Sequence, residues 1–75
     1  MLVMDLARGI VSSIVDGEVR SDQYVTMKTC TVTLGVPKSE ARKLKGEVVK
    51  AIKWILTLYG RRRGFKRVIL RIEAL

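Results

Sequence analysis

Histidine and asparagine are absent from this 75-residue chain, cysteine and proline occur once each, and aromatic residues amount to 5%. Without imidazole the chain lacks the commonest neutral metal ligand and general base, and a lone Cys30 cannot close an internal disulfide. Cys30 reads as a small buried residue, since no activating base stands near it in sequence. The carboxylates are scattered, and neither a phosphate loop nor a nucleophile–base pair is present. No enzyme activity, metal or cofactor is expected.

Long apolar runs are also missing. The longest stretch, Val48 to Tyr59, is broken by Lys50 and Lys53 and falls short of the roughly 20 residues that span a bilayer. No membrane partner is expected. The apolar amino terminus is interrupted by Asp5 and Arg8 and lacks the basic start of a secretory signal, so a cytoplasmic location is expected. The missing asparagine, single glutamine and abundant charge resemble a thermophile composition.

What is present is 48% apolar and 29% charged residues, with 15 Lys plus Arg against 7 Asp plus Glu and a net charge of +8. One domain over residues 1–75 is expected. A chain this short buries only roughly 60% of its unfolded surface, which makes a homodimer an attractive way to enlarge the core. The charge is uneven: residues 1–27 are slightly acidic, whereas the whole cationic excess lies in residues 28–75. Such asymmetry points to an anionic partner on one side, and nucleic acid is the commonest such polymer.

Val3, Leu6, Ala7, Ile10, Val11 and Ile14 share one side of a helix expected over Leu2 to Val15, stopped by Gly17. Its apolar arc is wide enough to meet a second subunit. From Tyr24 to Leu34 the local signals conflict. Tyr, Val and Thr dominate and favour a strand, yet Met27, Cys30, Thr31 and Leu34 also fit one helical side. Gly35, Val36 and Pro37 then mark a sharp turn into a helix expected to bury Ala41, Leu44, Val48, Ala51, Ile52 and Ile55, with Trp54 closing the core.

Leu34-Gly35-Val36-Pro37 followed by Ser39, Ala41 and Leu44 resembles the turn and second helix of a helix-turn-helix. The order of elements, ending in a hairpin tip at Gly60-Arg61-Arg62-Arg63-Gly64, is similar to the winged helix-turn-helix family of DNA-binding proteins. The resemblance implies a mostly α fold with a small β hairpin, helical residues 22–34, and a transcriptional regulator that inserts a recognition helix into the major groove of double-stranded DNA. It implies DNA contacts from Lys38, Ser39, Arg42 and Lys43, with Arg61, Arg62 and Arg63 on the wing. Physical chemistry is compatible with those roles: a helix amino terminus attracts phosphate, and an arginine fork such as that of Arg42 can give guanine two hydrogen bonds.

Two other readings use the same residues. A winged helix can serve as a noncatalytic protein-interaction module, because fold alone does not choose a function. Alternatively the chain is α+β: Tyr24–Val36 is a strand, Ser39–Tyr59 one long helix and Phe65–Ile72 a strand. That is a helix followed by a β-α-β unit, completed by dimerisation.

Overall fold

The conflict between Tyr24 and Leu34 is resolved in favour of extended backbone. In the computed structural model, which describes residues 1–75, α1 spans Val3–Ser12, β1 Arg20–Thr26, β2 Thr29–Val36, a 3-10 segment Lys38–Lys43, α2 Glu47–Arg62 and β3 Arg67–Ala74. The strands form one mixed sheet in the order β1-β2-β3. β1 pairs antiparallel with β2 (Arg20 opposite Gly35, Thr26 opposite Thr29), and β2 pairs parallel with β3 (Thr29 opposite Arg67, Val36 opposite Ala74). This α+β domain is not a mostly α winged helix-turn-helix. Residues 22–34 are hairpin strands instead of a helix, and β3 joins the central strand instead of forming a wing.

The hairpin turn was hidden because Met27 and Lys28 carry it. Both have positive φ, 46° and 69°, as the two central residues of a type I′ turn must, a place usually taken by Asn-Gly. Once the turn is made, β-branched side chains alternate across β2. Cys30, Val32, Leu34 and Val36 are fully buried on one face, while Thr29, Thr31 and Thr33 are half-buried on the other. Gly35 is therefore a strand residue, with the Leu75 side chain packed against it, rather than a hinge between helices.

Both helices cover the same face of the sheet. Val3, Ala7 and Val11 of α1 and Ile52 and Leu56 of α2 join the β2 side chains in one core. Each Val, Leu or Ile buried this way contributes roughly 1.5–3 kcal/mol. The apolar arc of α1 is thus largely consumed inside the chain, which leaves little of it for a second subunit.

The helix expected from Ser39 to Tyr59 is broken. Leu44 is buried, but its backbone (φ −104°, ψ 67°) and that of Gly46 (φ 55°, ψ −124°) leave the helical region, and α2 starts afresh at Glu47. The break rotates the buried stripe to Val49, Ile52 and Leu56. Val48, Ala51, Ile55 and Leu58 are exposed, and Trp54 is 67% exposed instead of closing the core. No helix is long and apolar enough to cross a membrane.

Candidate nucleic-acid interface

β2 and β3 are parallel, so α2 must return the chain to the end where β2 began. Two glycines shape that return. A Cβ on Gly60 would lie 2.5 Å from Val68 Cγ2, so glycine lets α2 approach β3 closely. Gly64, at φ 94°, then turns the chain out of the helix. The Phe65 N–H donates to the Gly60 carbonyl at 3.0 Å, and the Lys66 N–H donates to the Lys28 carbonyl at 2.8 Å.

These bonds place Lys28 at the hairpin turn beside Lys66 and Arg67, with Arg61, Arg62 and Arg63 closing α2 just before. All are exposed, and none forms an ion pair. The result is a cationic pole built from three separate segments. Arg61 and Arg62 also face the negative end of the α2 dipole, a contribution of about 0.3–1 kcal/mol to the helix. Arg63 lies over the Tyr59 ring, 5.8 Å from its centroid. Neither effect involves Lys28, Lys66 or Arg67.

Residues expected on a recognition helix lie elsewhere. Lys38, Ser39 and Arg42 are exposed on the 3-10 segment, whose short length offers no α-helical amino terminus to a groove. Lys43 is already engaged, donating to Glu40 Oε1 at 2.6 Å and lying 3.9 Å from Asp16 Oδ2. The Asp16 backbone N–H also donates to Glu40 at 2.7 Å. That bond, followed by the one from Lys43, holds the Glu40 carboxyl below its usual range, and Glu40 in turn raises the Lys43 ammonium. The charges here tie the 3-10 segment to the loop after α1.

The two arginine-bearing groups therefore do not make one footprint. They lie at opposite ends of α2, which at about 1.5 Å per residue is roughly 24 Å long. Arg61 and Arg62 are helical and Arg63 caps the helix, so the expected hairpin tip is absent. Lys28, Lys66 and Arg67, not singled out in the sequence, complete the pole. A signal existed: a β-α-β return brings the first residues of both parallel strands to the same end.

The opposite face of the sheet is open. Pairing aligns Thr26-Thr29-Arg67, Tyr24-Thr31-Ile69, Asp22-Thr33-Arg71 and Arg20-Gly35-Glu73 in rows across it. Cys30 is sealed on the covered face, where burial raises its thiol pKa. No protein-family model, curated protein or solved structure matches this chain.

Proposed function

We propose that this domain binds nucleic acid, with the pole of Lys28, Arg61, Arg62, Arg63, Lys66 and Arg67 on the phosphate backbone. One observation carries the reading: three chain segments converge to gather cations with no carboxylate paired to any of them. Gathering like charges costs self-repulsion, and a polyanion relieves it. Arginine forks suit phosphate because they bond it bidentately. DNA is retained as a candidate ligand, but a recognition helix in the major groove is not. The test is titration of labelled oligonucleotides at about 50 and 200 mM salt, across which a protein neutralising six phosphates loses on the order of a thousandfold or more in affinity. Salt-independent affinity, or no binding, rejects the proposal.

A second reading, an interaction module, is favoured by the exposed stripe of α2. Val48, Ala51, Ile55 and Leu58 follow 3-4-3 spacing, with Trp54 beside them. The occupant we assign is a second copy of this chain. An antiparallel pair of α2 helices sets Glu47 of each copy near the partner's Arg61 and Arg62 and opposes the two dipoles. Sedimentation of Ile55→Lys beside the parent chain tests it. A monomeric parent rejects self-association.

A further inference from the structure

The open sheet face continues directly from the cationic pole. Arg67 belongs to both: it follows Lys66 at the pole, and it stands across β2 from Thr26 on the open face. The next row pairs Tyr24, 68% exposed on β1, with Thr31 and with Ile69, half-buried on β3. Arg71 lies one row further on. From the pole inward, the face thus offers an arginine, a row in which an aromatic ring and an isoleucine flank Thr31, and then a row in which Arg71 stands across from Asp22.

The face is also polarised. Its far end carries Asp22 and Glu73, with Arg20 and Leu75 beside them around a shallow depression over Gly35. Those carboxylates repel a phosphate backbone. An anionic ligand reaching over the sheet is therefore confined to the half nearest the pole, where Tyr24 and Ile69 stand.

A duplex gains nothing from that row, because its base faces are stacked inside the helix. An unpaired strand can place a base on the Tyr24 ring while its phosphates meet arginines, which is how aromatic platforms hold single strands without reading their sequence. The turn beside the row carries a second unusual feature. Met27 is 92% exposed, and it and Lys28 hold positive φ without being glycine. Keeping an apolar and a basic side chain at such positions, where Asn-Gly would be less strained, is consistent with a role for those side chains outside the chain itself.

We infer that the pole-side half of the open sheet is a single-strand subsite, in which Tyr24 stacks on an unpaired base beside Ile69 while Arg67 holds the flanking phosphate. The inference rests on the nucleic-acid reading above and narrows its ligand to single strands, whether DNA or RNA. Stacking on one ring makes the preference tolerant of sequence. The acids around Gly35 keep the bound segment short.

The experiment compares oligo-dT, oligo-U and a duplex, each about 12 nucleotides long and so within the usual site sizes. Fluorescence anisotropy is recorded for the parent chain, Tyr24→Ala, Tyr24→Phe and the triple change of Arg61, Arg62 and Arg63 to Ala, with circular dichroism as a check on folding. The parent is expected to prefer both single strands over the duplex. Tyr24→Ala should weaken single-strand binding about tenfold and leave duplex binding unchanged, Tyr24→Phe should retain the parent's affinity, and the triple change should weaken all three probes. Because Tyr24 is exposed, its replacement should leave the fold intact. Amide shifts at Tyr24, Thr31 and Ile69 should move with single strands. If Tyr24→Ala matches the parent, or shifts are confined to residues 61–67, the subsite is overturned and the pole remains. Failure of all three probes to bind the parent overturns both.

Discussion

The two ends of α2 carry cations of opposite use. At the end beside the 3-10 segment, Lys43 is held by Glu40 and Asp16, and the group fastens one loop to another. At the other end Arg61, Arg62, Arg63, Lys28, Lys66 and Arg67 have no carboxylate partner. Residue type alone cannot separate these cases, since an exposed ion pair contributes about 0–1 kcal/mol and marks no function. Partnership sets Lys43 apart, whereas Lys38, Arg42 and Lys45 at the same end are unpaired. What distinguishes the other end is that three chain segments bring its cations together.

The comparison breaks most clearly in binding. Replacing Arg61, Arg62 and Arg63 together by Ala should weaken nucleic-acid affinity on the order of a hundredfold near 100 mM salt and flatten its salt dependence, whereas Lys38, Arg42 and Lys43 replaced together should change it little. Equal losses at both ends would erase the distinction. Next in size is Gly60→Ala, which drives a methyl group into Val68 at the base of the pole. It should cost about 1–3 kcal/mol of stability in urea melts. Adding Val68→Ala should relieve the clash while bringing its own cavity cost, so the two changes should be clearly non-additive.

Replacing Met27-Lys28 by Asn-Gly should stabilise the hairpin by about 1 kcal/mol or more, read as a raised urea midpoint, because both residues now hold positive φ at a cost. The same change removes a pole cation, so binding should weaken modestly as stability rises. The smallest effect belongs to the other end. Glu40 has a lowered folded-state pKa, so its contribution is present above the ordinary carboxylate range and is lost as pH falls through the folded value. Glu40→Gln should therefore lower the melting temperature slightly at neutral pH, and the difference from the parent should vanish in acid. A difference that persists in acid would remove the ionic link from this end.

Some of this was legible in the residues. Periodicity located α1, and apolar content, despite imperfect alternation, marked a strand after Gly64. The separation of a nearly neutral first segment from a basic remainder anticipated a cationic surface, although not its shape. The hairpin was not legible, because Met27 and Lys28 carry none of the Gly or Asn chemistry that announces a type I′ turn. With the turn invisible, Met27 to Leu34 fitted a helix as well as a strand, and Gly35 became the hinge of a helix-turn-helix. The break at Leu44 to Gly46 had one signal, Gly46, which takes φ 55°, but Leu44 and Val48 continue the apolar spacing across it and so favour one unbroken helix. Half of the pole was missed because Lys28 and Lys66 become neighbours only through parallel pairing.

The Lys28 carbonyl, which accepts from the backbone N–H groups of Lys66 and, at 3.4 Å, Arg67, gives the cationic pole a place in time. The β1–β2 hairpin is local and can form early, while β3 must close a long loop before it docks, the slower kind of event. A nascent chain that has made only its first two strands displays Lys28 but not the arginines. On the proposed reading, competence to hold a polyanion arrives with the last strand.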